Sequence, residues 1–188
     1  LTFPFVATTH VFLLAIRRFE SIHSSSPVSS AQIETLNKTI TFSEFGRGVL
    51  SGIAQVFFQS SVMTGILFLL AIFIGSRRSS VMAIGGSAIG ALTGYNTLGA
   101  SASDIGLGLF GFNPSLTAIA LGSIFLAPDR RAIGLTVFAA IITIVFQSAL
   151  ETALKSFGLP AMTLPFVLTT WLFLLAAPLF RGMTEDLE

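Results

Sequence analysis

The chain has 188 residues and a formal net charge of +1; 53% of its residues are hydrophobic and only 10% are charged. Soluble domains carry about 25% charged residues, so this composition, with a mean hydropathy of +0.86, indicates a membrane protein. The near-neutral charge excludes a polybasic surface for nucleic acid, and the lack of cysteine excludes disulfides and thiolate metal sites.

The first segment of the chain recurs near the other end. Residues 1–15 align with residues 162–176 without a gap, and ten of the fifteen positions are identical. Repeats of this length in an apolar chain are typical of transporters built from two related halves. We therefore expect residues 1–16 to be the tail of a first repeat whose earlier part precedes this chain.

A polar stretch follows the first segment. Residues 17–43 contain the serine-rich run 24–30 together with several charged side chains. Such a composition between apolar segments predicts a linker. The second repeat is then expected over 44–182, where it forms the transmembrane half, and residues 183–188 form a polar tail.

The second repeat contains apolar segments of unequal length. They fall at roughly 48–58, 62–75, 80–98, 105–126, 132–154 and 159–180. Segments 80–98 and 132–154 reach the roughly 20 residues of a simple spanning helix, whereas the others are short or interrupted by glycine or proline. Irregular backbone at membrane depth is tolerated only where protein or a water-filled path satisfies its polar groups. The expected fold class is an all-α, polytopic helical bundle with broken or re-entrant helices, one half of a transporter built from two related halves.

A strip of small residues runs along segment 80–98. Gly86, Gly90 and Gly94 recur at four-residue spacing, which lets another helix approach closely. Because such strips are general to membrane bundles, we interpret this one as a packing surface.

The first short segment places an amide and an aromatic ring together. Gln55 and Phe58 stand three residues apart and share one face if the segment is helical. An amide in hydrocarbon is costly unless it is paired, so Gln55 taken alone fits a contact between helices and a solute site equally well. Phe58, one of 19 phenylalanines, is taken alone more typical of packing or lipid contact.

A later segment combines glycines with a predicted helix start. The glycines within 104–112 permit an unwound backbone. Asn113 followed by Pro114 predicts the N-cap and first residue of a half-helix. That half-helix would project Phe112 and Leu116 from its start.

Two prolines bracket a threonine in the last segment. Pro160 and Pro165 predict a break around Thr163, whose hydroxyl and nearby carbonyls would face inward. The repeat pairs Thr163 with Thr2. Taken alone, a threonine beside a break is more often a cap of the backbone.

In order and spacing, these stretches resemble the second half of the urea transporters. The resemblance rests on 55–58 (Gln-Val-Phe-Phe), 108–113 (Gly-Leu-Phe-Gly-Phe-Asn) leading to Leu116, and 159–166 (Leu-Pro-Ala-Met-Thr-Leu-Pro-Phe). It covers about 44–180, together with the end of the first half at 1–15.

The resemblance implies passive, channel-like transport of urea by a multi-pass protein of the cell membrane. It further implies that the two halves are inverted repeats, of which this chain holds the second. The resembled proteins form a homotrimer in lipid with one pore per subunit and no cofactor or metal. The family's pore is a slot between phenylalanine rings, lined by oxygen atoms. Carried over by motif, the pore residues are Gln55 at a flanking urea site, Phe58 and Phe112 as one aromatic slot, Leu116 at the constriction, Thr163 at the centre and Thr2 as its counterpart from the other half.

Three other functions are weighed against this one. A coupled secondary transporter of a small neutral or amide-like solute shares broken helices and repeats, and it remains the alternative. It should carry a carboxylate within the membrane, but Asp104 and Glu151 lie at segment ends. An enzyme would require a Ser/His, Glu-x-x-His or paired-carboxylate arrangement, and His10 and His23 form none. A purely structural membrane module would leave the unwound elements unexplained.

Overall fold

The computed structural model describes residues 1–16, 40–126 and 128–177, and every regular element among them is helical. The helices are α1 (Phe3–Ile16), α2 (Phe42–Gln55), α3 (Val62–Gly75), α4 (Arg77–Leu98), α5 (Ala102–Gly106), α6 (Phe112–Ile119), α7 (Arg130–Lys155) and α8 (Leu164–Ala176). Helix α6 continues directly into a π-helical segment, Ala120–Phe125. The all-α fold class predicted from the sequence is confirmed.

The predicted linker lies mostly outside the described residues, and so do the end of the second repeat at 178–182 and the polar tail. Residues 40–43 of the predicted linker are described, and helix α2 begins within them, at Phe42. Thr41 and Glu44 form a capping box that starts this helix: each side chain accepts a hydrogen bond from the backbone N–H of the other residue. The predicted start of the second repeat at 44 therefore falls inside α2.

Helix lengths within the described residues are unequal, as the apolar segments predict. In the part of the chain that the structure describes, α7, with 26 residues, is the one helix both long and apolar enough to cross a membrane, and shorter apolar helices accompany it. Helix α4 has 22 residues, but recurring glycine and serine make it less apolar than the sequence prediction for 80–98 assumed.

The glycine strip of α4 packs closely against α6 and the turn before it. A side chain has no room at Gly86, Gly90 or Gly94. An added Cβ would collide with the backbone of Pro114 or with the carbonyl and ring of Phe110. Close to the strip, Ser115 Oγ donates to the carbonyl of Ala83 at 3.0 Å. The strip is thus a packing surface, as interpreted from the sequence, and it fixes where α6 begins.

The start of α6 differs from the prediction in one respect. The N-cap predicted at Asn113 is wrong, because α6 begins at Phe112 and Gly111 occupies the cap without a side-chain hydrogen bond. Asn113 donates instead to Gln147 and to the carbonyl of Met162. The capping rule considers only neighbours along the chain, whereas this buried amide has partners on two other elements.

Helix α7 packs against both α6 and α8. A buried apolar cluster joins the π-helical segment, α7 and α8: Leu121, Leu126, Ala132, Ala139, Phe173 and Ala177. Burial of such side chains is the main stabilising contribution to a contact of this kind in water, and close packing takes over that role in lipid. The common contact with α7 holds α6 and α8 beside each other.

Candidate functional site at the starts of α1 and α8

The two copies of the repeat form equivalent helix starts. Thr2 directly precedes α1 and Thr163 directly precedes α8. In each copy the threonine carbonyl accepts from the N–H four residues further on, Val6 and Val167 respectively, and both distances are 3.1 Å. Val6 and Val167 are both buried. The repeat seen in the sequence is therefore also a repeat in structure over these residues.

The two threonine hydroxyls contact each other. Thr2 Oγ1 and Thr163 Oγ1 are 2.7 Å apart, and either hydroxyl could be the donor. Thr163 occupies the N-cap position of α8, but its side chain makes no capping hydrogen bond. Since a hydroxyl carries one proton and two acceptor sites, the pair keeps a free proton and free lone pairs.

A cavity of about 260 Å³ lies at this threonine pair. Its lining comes from α1, the turn after α2, α6 and the break before α8: Thr2, Phe5, Val56, Phe57, Phe58, Leu116 and Thr163. Pockets for drug-sized ligands begin at about 300 Å³. A mainly apolar and aromatic lining with two hydroxyls in a space this small suits a compact molecule that can both donate and accept hydrogen bonds.

Two residues at or next to this cavity have their backbone in the left-handed region. Among the described residues, Phe58 (φ 58°) and Met162 (φ 51°) are the non-glycine residues with positive φ. Phe58 lines the cavity, and Met162 directly precedes Thr163. Such conformations cost about 1–3 kcal/mol each and are found preferentially at ligand sites.

The turn at Phe58 has a glycine counterpart elsewhere in the chain. After α2, the N–H of Phe58 donates to the backbone carbonyl of Gln55, and the N–H of Gln59 donates to the backbone carbonyl of Ala54. This pair of hydrogen bonds is the Schellman motif at a helix end. Helix α7 ends in the same pattern, with Gly158 in the left-handed position. Glycine is the usual residue there, so Phe58 holds its ring at the cavity at some cost in backbone energy.

Gln55 and Phe112 lie away from the cavity lining. Gln55 Nε2 donates to the carbonyl of Leu107 at 3.0 Å, which ties the end of α2 to the turn before α6. The ring that faces Phe58 is Phe5 of α1, with centroids 6.1 Å apart, and not Phe112. Four of the six predicted pore residues thus come together in one cavity: Thr2, Phe58, Leu116 and Thr163.

The first segment has further contacts with the second repeat. His10 Nε2 lies 2.8 Å from the carbonyl oxygen of Pro160. The rings of Phe3 and Trp171 are 5.1 Å apart. These contacts hold α1 against α8 and the break before it, with Thr2 at the cavity.

Sequence inspection missed two residues near the site. Phe5 was identifiable from the repeat, which pairs it with Phe166, a residue buried beside Leu116. Gln147 is buried inside the apolar stretch of α7. The argument applied to Gln55, that an amide in hydrocarbon needs partners, would have singled out Gln147 as well.

Comparisons with known proteins agree with these observations. A sequence model described as "Urea transporter" matches residues 1–178. Urea transporter 1 of Rattus norvegicus and that of Mus musculus are each 32% identical to the chain over 177 residues, which are 93% of this chain and 46% of the relative. The Ovis aries protein of the same name is 30% identical with the same coverage. The chain therefore spans about half the length of the curated relatives it matches. Because the family match covers nearly the whole chain and the repeat, the interrupted helices and the converging motifs agree with it, this chain belongs to the urea transporters, a family of helical membrane proteins.

Proposed function

We propose that the protein conducts urea passively across the cell membrane, along a path that includes the cavity at Thr2 and Thr163. The observation that carries this proposal is the convergence of four motif residues from separate parts of the chain on one small cavity. The family and the names of the relatives support urea as the solute.

The chemistry of the cavity suits urea. Urea is planar and neutral, with four N–H donors around one carbonyl, so it fits flat against rings such as Phe5 and Phe58. The hydroxyls of Thr2 and Thr163 can accept from its N–H groups and donate to its carbonyl. Neutral oxygens replace part of its hydration without a fixed charge, and weak binding of this kind permits fast release.

Gln55 and Phe112 are proposed to serve the same path outside the cavity. The family resemblance assigns Gln55 to a flanking urea site and Phe112 to an aromatic wall. Nε2 of Gln55 already donates to Leu107. The side-chain oxygen of Gln55, Oε1, is therefore the group available to a urea N–H.

The surroundings of the protein form part of the proposal. We infer a multi-pass protein of the plasma or inner membrane that assembles as a homotrimer and acts without a cofactor or a chemical reaction. The exposed face of helix α3 is in favour of an apolar environment. It carries large hydrophobic side chains that lipid or a neighbouring subunit would cover: Met63, Leu67, Leu70 and Ile74.

The test uses the full protein, including any residues beyond this chain, in liposomes with stopped-flow detection of urea. We expect urea to equilibrate down its gradient faster than in empty liposomes, and the rate to be indifferent to a proton or sodium gradient. Accumulation of urea against its gradient would favour the coupled transporter. No flux above that of empty liposomes would contradict the proposal altogether.

A further inference from the structure

A buried amide network connects three elements around the break before α8. Asn113 of α6 is 0% exposed and Gln147 of α7 is 2% exposed. Asn113 Nδ2 donates to Gln147 Oε1 at 3.1 Å and to the carbonyl of Met162 at 3.0 Å. One amide group of α6 thus holds both α7 and the residue that precedes Thr163.

Gln147 extends this network to the turn before α6. Its Nε2 donates to the carbonyl of Leu109 at 2.9 Å and to Glu151 Oε1 at 3.0 Å. Helix α7 therefore holds the turn before α6 through the backbone carbonyl of Leu109 and the start of α6 through the side chain of Asn113. The partners of Gln147 account for both protons of its amide and for its oxygen.

The network has one consistent direction of donation. Two acceptors, a carbonyl and a carboxylate, face Nε2 of Gln147, so Oε1 must face Asn113. Gln147 Oε1 is an acceptor, so Asn113 must present its donor, Nδ2, to it. The same Nδ2 also donates to the carbonyl of Met162. The orientation of one amide thereby determines the orientation of the next, from Glu151 through to Met162.

Met162 connects this network with the cavity, because it directly precedes Thr163, which lines the cavity. Its φ of 51° is unfavourable for a residue with a side chain, so its carbonyl needs a partner that holds it in place. The Met162 carbonyl and the Thr163 N–H belong to one planar peptide group. A hydrogen bond that fixes this carbonyl therefore fixes the plane of the peptide group and the position of the Thr163 Cα atom. The position of the Thr163 hydroxyl, which contacts Thr2, follows from it.

We infer that Asn113 and Gln147 are positioning residues for urea passage. Neither lines the cavity; they hold the peptide before Thr163 so that its hydroxyl stays at the cavity. The inference rests on the proposed function and goes beyond it by assigning a role to residues outside the path.

The experiment measures urea permeability of the full protein in liposomes for Asn113→Leu and Gln147→Met, which keep similar size and remove the donors. We expect each variant to lower permeability per molecule by roughly two- to twelvefold, the range that corresponds to one neutral hydrogen bond. Ser115→Ala is the matched control, because it removes a buried hydrogen bond from the same helix without touching Met162. Each variant is also checked for a single peak in gel filtration and for its thermal midpoint.

A double-mutant cycle separates positioning from general destabilisation. If Asn113 acts through the Thr163 hydroxyl, Asn113→Leu should cause little further loss in a Thr163→Val background. Losses that multiply would overturn the inference, and so would wild-type permeability in both amide variants. A wild-type protein that moves no urea would instead contradict the proposed function.

Glu151→Ala provides a variant at an exposed position, where loss of the fold is not expected. Removing the carboxylate takes one acceptor from Gln147 Nε2 and loosens the orientation of its amide. Permeability should fall by a smaller factor than in Gln147→Met. Unchanged permeability would show that Glu151 does not orient the network.

Discussion

Thr2 Oγ1 and Thr163 Oγ1 lie 2.7 Å apart although 161 residues separate them in the chain. The two residues occupy the same position of two copies of one repeat, and each precedes the first residue of its helix. A contact between equivalent positions gives the cavity two hydroxyls, one from a buried residue, Thr163, and one from a partly buried residue, Thr2.

The first prediction concerns these two hydroxyls. Thr2→Val and Thr163→Val keep the shape of the side chain and remove one hydroxyl each, a loss of about 0.5–1.5 kcal/mol for a neutral hydrogen bond. Both variants should slow stopped-flow urea efflux by similar, modest factors. Because the hydroxyls are hydrogen-bonded to each other, the double variant should lose less than the product of the two single effects. A silent Thr163→Val would remove Thr163 from the path.

The second prediction concerns stability and compares a buried threonine of α8 with a buried threonine of α7. The Thr170 hydroxyl is fully buried and has no hydrogen-bond partner among the described residues. Thr170→Val should therefore raise the free energy of unfolding by about 1 kcal/mol and leave urea efflux unchanged. Thr143→Val should lower it, since that hydroxyl bonds Thr117 and the carbonyl of Ala139. The thermal midpoint in detergent measures both; a midpoint lowered by Thr170→Val would contradict the burial argument.

The third prediction separates the backbone of Phe58 from its ring. Phe58→Gly relieves a left-handed conformation that costs an L-residue about 1–2 kcal/mol, whereas Phe58→Ala retains it. The glycine variant should therefore unfold at a higher temperature than the alanine variant. Both lose the ring at the cavity, so both should raise the permeability of N-methylurea relative to urea. Equal midpoints would mean that the strain at Phe58 is relieved in another way.

The fourth prediction compares two glycines of α4. A Cβ at Gly90 would collide with the carbonyl of Phe110, whereas no atom of the described residues lies within 4 Å of a Cβ at Gly85. Gly90→Ala should force α6 away from α4, lower the thermal midpoint and reduce urea efflux. Gly85→Ala should be neutral or stabilising by about 0.5–1 kcal/mol, because alanine favours the helix. Similar midpoints for the two variants would show that α4 and α6 are not packed this closely.

The sequence predicted the helices and the threonine pair well, because those features are local or repeated. Hydropathy and the glycine and proline breaks located most helix positions, and the repeat alone paired Thr2 with Thr163. Helix α2 begins before the apolar segment at 48–58, because the capping box at Thr41 precedes the apolar pattern.

The sequence was less informative wherever a side chain has a distant partner. Asn113 followed by Pro114 reads as a helix cap, yet its amide bonds α7 and the carbonyl of Met162. The ring opposite Phe58 belongs to Phe5, from the other copy of the repeat. Residue spacing within one segment carries no information on which separate segment will supply such a partner.

The contact between Thr2 and Thr163 is self-complementary, since each side is built by the same short sequence. A surface of that kind can be formed equally well by two identical chains related by a two-fold rotation. The repeat in residues 1–15 and 162–176 places both partners of such a contact within one polypeptide.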